Sequence, residues 1–141
     1  MSTEQNKSAI RRWIEDGWNR GNLAAADELY AAGVVQHDPN SPVPVSNREA
    51  LKQYVMAFRT AFPDLHFAID DLIAEGDKVL WRFTARGTQR GPLLNIPPSG
   101  RPGTVTGMAL FRFADGKVSE VWVNVDTLGM LQQLGVIPQM A

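Results

Sequence analysis

The strongest constraint on the fold is an Asp-Gly dipeptide, Asp115-Gly116, that stands between two runs of alternating apolar residues. Such a dipeptide favours a two-residue hairpin turn, so it predicts two antiparallel strands that meet at this turn. With Ala114 facing Lys117, counting outwards gives four further cross-strand pairs on one face of the hairpin. These pairs are Phe111 with Glu120, Ala109 with Trp122, Gly107 with Asn124, and Val105 with Asp126.

The predicted face combines two very small side chains with larger polar and aromatic ones. Gly107 and Ala109 leave an empty volume opposite Asn124 and Trp122, and Asp126 follows one step further along the strand. An apolar hollow with a few polar groups is typical of a small-molecule site, which predicts Gly107, Trp122 and Asn124 as substrate-binding residues. Gly107 is equally compatible with a bend or bulge in a curved sheet.

Asp126 has two competing interpretations. It is the one acid at the inner end of the predicted hollow, where a carboxylate shielded from water can act as a general base. It also directly precedes a helix predicted from Thr127 to Leu134, where an Asp side chain commonly caps the first turn. The residue spacing leaves both roles open.

Composition excludes several classes of function. The chain has 141 residues, which predicts a single domain over residues 1–141. Its net charge is -1, and its 14 basic and 15 acidic residues form no run, which argues against nucleic-acid and membrane partners. The absence of cysteine excludes thiolate chemistry and is compatible with a cytoplasmic protein. His37 and His66, the only histidines, have no partner four residues away, so we expect no metal site.

The first part of the chain is predicted to be helical. An apolar stripe through Trp13 and Trp18 marks a first helix, and a second runs from about Leu23 to Ala32. The capping-box pattern that begins at Ser46 opens a third helix, which Pro63 ends. Residues 34–39 between the second and third helices are short and bounded by proline, which predicts an edge strand.

After Pro63 the apolar period changes to two. Alternation over residues 65–74 slips in phase across Asp70-Asp71, which indicates a β-bulge. A second strand spans residues 78–88, and the Pro- and Gly-rich residues 89–102 form a long loop. Helices followed by strands predict an α+β fold, with helices packed on one face of a strongly curved, mainly antiparallel sheet.

Motifs along almost the whole chain resemble the SnoaL-like polyketide cyclase, or ester cyclase, family of the nuclear-transport-factor-2-like superfamily. They are Trp18-Asn19-Arg20-Gly21-Asn22, His37-Asp38-Pro39, Phe62-Pro63-Asp64-Leu65, Gly76-Asp77-Lys78-Val79, Gly87-Thr88, Ile96-Pro97-Pro98-Ser99-Gly100, Asp115-Gly116-Lys117-Val118 with Glu120, Trp122 and Asp126, and Leu128-Gly129-Met130-Leu131-Gln132-Gln133-Leu134-Gly135. The resemblance implies a cone-shaped barrel with a pocket between the concave sheet and the first helix, usually in a homodimer.

The resemblance also implies a chemistry. In this family the carboxylate that matches Asp126 is the acid/base of an intramolecular aldol addition in an aromatic polyketide methyl ester, with no metal or other cofactor. Many relatives have a histidine after the Gly-Thr pair, where this chain has Gln89. An amide keeps a donor and an acceptor at that place but does not titrate.

Four further residues complete the set of predicted substrate contacts. His37 ends the edge strand, where it can bind a ligand carbonyl or a neighbouring backbone group. Either Trp81 or Arg82 faces the pocket, because adjacent strand residues point to opposite faces. Trp18 belongs either to the core or to the pocket floor, and Gln89 lies near the pocket mouth.

Three functions compete at this level. The first is a cofactor-free enzyme that abstracts a proton next to a carbonyl of a hydrophobic small molecule, such as an aromatic polyketide. The second is an epoxide hydrolase-like or hydratase-like enzyme in which Asp126 activates water. The third is a non-catalytic binding module. For any of them we expect a homodimer through an apolar outer sheet face, predicted to consist of Met108, Leu110, Val121, Val123 and Val125.

Overall fold

The computed structural model of the chain describes residues 2–41, 45–93 and 95–138. The helices are α1 (Thr3–Trp13), α2 (Ala25–Leu29), α3 (Arg48–Ala61) and α4 (Thr127–Gln133), and the strands are β1 (Tyr30–His37), β2 (His66–Glu75), β3 (Lys78–Thr88), β4 (Pro102–Ala114) and β5 (Lys117–Val125). The sheet has the order β1-β5-β4-β3-β2, with β1 parallel to β5 and the other pairs antiparallel. The α+β prediction is confirmed, but the sheet is open and does not close into a barrel.

The helical part differs from the predictions in two places. The second helix ends at Leu29, earlier than predicted, because Tyr30 begins β1 and the chain pairs with β5 from there. Sheet hydrogen bonding thus overrides the local helical pattern. α3 is capped by Asn47 rather than Ser46, since the Asn47 side chain accepts a 2.8 Å hydrogen bond from the Ala50 N–H. No helix of the described residues is long and apolar enough to cross a membrane.

Register shifts occur in three strand pairs, between Tyr30 and Val35 in β1–β5 and once each in β2–β3 and β4–β5, and the sequence prediction found the one in β2–β3. The phase slip at Asp70 is confirmed, because the β2–β3 register shifts between Ile69 and Asp71. The predicted pair of Ala114 with Lys117 is also confirmed. A second bulge then inserts Ser119 into β5, so that Phe113 pairs with Val118 and Arg112 with Glu120.

The second bulge makes the predicted hairpin pairs wrong by one residue. Gly107 pairs with Val125 instead of Asn124, and Leu110 pairs with Trp122. Because side chains alternate between faces, a slip of one residue exchanges the two faces of β5 beyond Ser119. Val121, Val123 and Val125 therefore lie on the inner face, and only Met108 and Leu110 of the predicted apolar outer face remain outside.

Candidate functional site

A cavity of about 430 Å³ lies between the inner face of the sheet and the helical layer. Strands β3, β4 and β5 contribute one wall, which includes Trp81, Phe111 and Val121. The opposite wall comes from α3 and the segment that follows α1, and includes Phe58 and Trp18. Most lining side chains are apolar, and a cavity of this size can hold a drug-sized molecule.

Trp18 lines this cavity from a short π-helical segment, Ile14–Asn19, that continues α1. The Asn19 side chain clamps this segment to β2, donating to the Phe67 carbonyl at 3.0 Å and accepting from the Phe67 N–H at 2.8 Å. Arg59 of α3 donates to the Trp18 carbonyl at 2.5 Å. Segments of π-helix often occur at functional sites, and here the clamps hold the Trp18 ring against the cavity.

Trp81 is the residue of the Trp81–Arg82 pair that faces inward. Its ring is 2% exposed, lines the cavity and lies 4.6 Å from the Phe83 ring centroid. The Trp81 Nε1–H donates to the Ala68 carbonyl at 3.4 Å, which orients the indole. Arg82 points outward and pairs with Asp71 at 2.6 Å.

The polar groups of the cavity include Asp38 and Tyr54, which the sequence prediction did not select as site residues. The Tyr54 hydroxyl donates to Asp38 Oδ2 at 2.9 Å, and the Asn40 N–H donates to Asp38 Oδ1 at 2.9 Å. Burial raises the pKa of the Tyr54 phenol, and the negative charge of Asp38 raises it further. Tyr54 is therefore a neutral donor that orients the Asp38 carboxylate at neutral pH.

Gln36 is the second polar residue that was missed. It is 8% exposed and lines the cavity from β1, and its Nε2 has no hydrogen-bond partner in the part of the chain that the structure describes. Period-two alternation along β1 could have identified two of the missed residues. Gln36 and Asp38 share one face of the chain, and His37 lies on the other.

Asp126 caps α4, as one of its two interpretations predicts. Its Oδ1 accepts a 3.0 Å hydrogen bond from the Gly129 N–H, and the residue is exposed. It is not among the described cavity-lining residues, although its neighbours Val125 and Thr127 are. Asp126 thus lies at the rim of the cavity, and its acid/base role stays a prediction.

Three predicted contacts lie on the outer face: Trp122 and Asn124 because the bulge at Ser119 reverses β5, and His37 because it alternates with the inward Gln36 along β1. The Trp122 ring stacks on His37 with centroids 5.5 Å apart, and Asn124 is exposed beside Met108. His37 Nε2 lies 2.6 Å from a Glu120 carboxylate oxygen. Hydrogen bonds from Arg112 and from His37 lower the pKa of the Glu120 carboxyl. His37, Trp122 and Asn124 are therefore not among the described residues that line this cavity.

Gly107 leaves no room for a ligand. A Cβ at this position would lie 2.5 Å from the Phe83 ring and 2.7 Å from the Asn124 carbonyl oxygen. The volume that the sequence suggested as a hollow is occupied by the Phe83 ring, so the prediction of Gly107 as a pocket residue is wrong. A glycine is needed here because the Phe83 ring and the Asn124 backbone pack directly against the Cα atom.

Gln89 organises the loop rather than the cavity. Its side chain is fully buried, and its Nε2 lies within 3.2 to 3.4 Å of the carbonyl oxygens of Gly91, Ile96 and Pro97. Its Oε1 accepts from the Ser99 N–H at 3.2 Å. A planar amide provides the donors and the acceptor that these backbone groups require. The predicted ligand contact of Gln89 is not supported, because its polar atoms are occupied by the loop.

Comparison with known proteins shows what this chain is similar to. Residues 8–134 match the family model for the SnoaL-like polyketide cyclases. IdmH from Streptomyces antibioticus, described as a candidate polyketide cyclase, is 33% identical with a TM-score of 0.78, and the match covers 94% of this chain and 99% of that one. A candidate SnoaL-like polyketide cyclase from Jannaschia sp. CCS1 is 27% identical with a TM-score of 0.88, covering 96% and 95%. AclR from Streptomyces galilaeus, described as a candidate hydroxylase, is 26% identical with a TM-score of 0.86, covering 99% and 87%. No curated protein sequence matches this chain.

Proposed function

Because this chain belongs to the SnoaL-like polyketide cyclase family, we propose that it binds a flat, hydrophobic small molecule with carbonyl groups and closes a ring in it by acid/base chemistry. The observation that carries the proposal is the cavity of about 430 Å³, whose walls are mostly apolar and whose polar groups include a carboxylate, a phenol and an amide. An aromatic polyketide has the shape and polarity that such a cavity accepts.

The proposed reaction is an aldol addition within one molecule, without a cofactor. A base takes a proton from the carbon next to one carbonyl, and the resulting enolate carbon attacks a second carbonyl of the same molecule. The oxygen of that second carbonyl then takes a proton and becomes a hydroxyl group. Apolar walls support the reaction because they exclude water and strengthen the electrostatic interactions of the charged enolate.

Asp126 is the proposed general acid/base. It follows Val125 at the end of β5 and precedes Thr127 at the start of α4, and both of these neighbours line the cavity. A substrate that covers the rim would exclude water from the proton transfer. Only Oδ1 is engaged in the α4 cap among the described hydrogen bonds, so Oδ2 is available for a proton.

We expect the protein to bind 1-tetralone, a flat ketone, and to accelerate exchange of its α-protons with D₂O. Binding is measured by quenching of tryptophan fluorescence, since Trp18 and Trp81 line the cavity, and exchange is measured by proton NMR against a protein-free control. Binding without exchange would favour a non-catalytic binding module. Absence of binding would contradict the proposed function.

We also propose that a second copy of this chain covers the outer sheet face. Large apolar side chains remain exposed there, with Met108 48% and Ile73 59% exposed. The ion pairs of Arg82 with Asp71 and of Arg112 with Glu120 place both signs of charge on the same face, which suits a two-fold symmetric contact. Light scattering at micromolar concentration should give the mass of a dimer, and Met108→Glu should shift it towards the monomer. A monomeric wild type would contradict this proposal.

A further inference from the structure

The polar end of the cavity has hydrogen-bonding capacity that the described protein groups leave unused. An ionised carboxylate offers about four acceptor positions, and among the described residues Asp38 accepts two hydrogen bonds, from Tyr54 and from the Asn40 N–H. Gln36 Nε2 is a buried donor without a partner among the described residues. Buried polar groups normally find partners, so an unpaired amide in a cavity wall indicates a ligand group that completes it.

The two side chains are arranged as one acceptor and one donor along the same edge of the cavity. Gln36 and Asp38 both line it and are two residues apart in sequence. In extended chain this places their Cα atoms about 7 Å apart. The phenol and ketone oxygens of a para-hydroxyaryl ketone are separated by a similar length, so one such ligand can reach both side chains.

We propose that Gln36 and Asp38 form a recognition subsite for a phenolic ketone, in which Gln36 donates to the ketone oxygen and Asp38 accepts from the phenol. This inference rests on the proposed function, because it specifies the substrate class of the same cavity. Tyr54 is a positioning residue, since its neutral hydroxyl holds Asp38 Oδ2 and directs the remaining acceptor capacity of the carboxylate to the ligand.

The chemistry of Asp38 explains why the phenol matters. A hydrogen bond from a phenol to a carboxylate is charge-assisted and stronger than one between neutral groups. A methoxy group at the same place has no proton to donate and would leave the carboxylate desolvated without compensation. Sites built to bind a hydroxyl group therefore discriminate strongly against analogues that lack it.

The test compares 6-hydroxy-1-tetralone with 6-methoxy-1-tetralone by tryptophan fluorescence quenching. We expect the wild type to bind the hydroxy compound on the order of tenfold or more tightly. Asp38→Asn should lose most of this preference, because the carboxylate charge is removed while the amide oxygen can still accept from the Asn40 N–H and the amide NH₂ can donate to the Tyr54 oxygen. Gln36→Leu should weaken binding of both ketones by similar factors, since both carry the ketone oxygen.

Asp77→Asn is the matched control, because Asp77 is a solvent-exposed carboxylate with a 53% exposed side chain in the turn before β3. Tyr54→Phe is a second variant that tests the inference independently of whether Asp38→Asn folds. It should partly reduce the preference for the hydroxy compound. An unchanged preference in Asp38→Asn and Tyr54→Phe, or equal wild-type affinity for the two ketones, would overturn the inference and leave the proposed function standing. Failure of the wild type to bind either ketone would overturn both.

Discussion

We expect Asp126→Asn to lower the rate of α-proton exchange in 1-tetralone by a factor on the order of 10² to 10⁴, the usual loss when a general base is removed. The asparagine oxygen can still accept the Gly129 N–H that Asp126 Oδ1 accepts at 3.0 Å. Because the cap is kept and the residue is exposed, the free energy of unfolding should change by less than about 1 kcal/mol. Exchange is measured by NMR and stability by urea denaturation.

Asp77→Asn serves as the control for removing an exposed carboxylate far from the cavity rim. Full exchange activity in Asp126→Asn would exclude general base catalysis by this residue. A loss of several kcal/mol in stability would instead show that the charge of Asp126 has a structural role at the start of α4, beyond the cap that asparagine retains. The two measurements together separate the two interpretations that the sequence left open.

We expect Gly107→Phe to lower the free energy of unfolding by about 3 kcal/mol or more, at the upper end of the cost of overpacking a core. Even the first carbon of a side chain at this position would lie 2.5 Å from the Phe83 ring, and the Asn124 carbonyl oxygen at 2.7 Å cannot move without disturbing the β4–β5 ladder. Urea denaturation should show this loss as an earlier unfolding midpoint.

Val105→Phe is the matched control, because Val105 is on the same strand and face as Gly107 but lines the cavity and is only partly buried. The larger ring should fill the cavity and block 1-tetralone binding with a smaller loss of stability. A Gly107→Phe variant that folds like the wild type and no longer binds the ketone would show that the ligand binds next to Gly107.

The hairpin shows how far local sequence information extends. The Asp115-Gly116 turn and the pair of Ala114 with Lys117 are determined by neighbouring residues, and both predictions are confirmed. The register beyond them depends on whether Ser119 is accommodated as an extra residue. Val118 and Val121 differ in parity across Ser119-Glu120, as the residues around Asp70-Asp71 do, but this pattern is compatible both with a bulge and with uninterrupted pairing. The bulge lets β5 bury Val118 as well as Val121 on the inner face, and this burial outweighs the loss of uninterrupted pairing from the turn.

The candidate site shows the same division. Helical periodicity identified Trp18 as a residue of the core or the pocket floor. Strand alternation left Trp81 and Arg82 as the two candidates for the inward residue of β3. Both tryptophans line the cavity. Asp38 and Tyr54 are 16 residues apart. Tyr54 lies on α3, and nothing in the local pattern shows that its hydroxyl meets a carboxylate from the end of β1.

By itself, the sequence determined the fold class, the confirmed turn, the first bulge and the family, because these depend on apolar periodicity, turn residues and motifs that act over short distances. Only the tertiary structure decided which face of β5 looks inward, that the Phe83 ring occupies the space above Gly107, and that Gln36, Asp38 and Tyr54 share a cavity with Trp18. The physical reason is that these features depend on packing between elements distant in the chain. There the burial of whole faces, rather than the preference of any single residue, selects the register and the contacts.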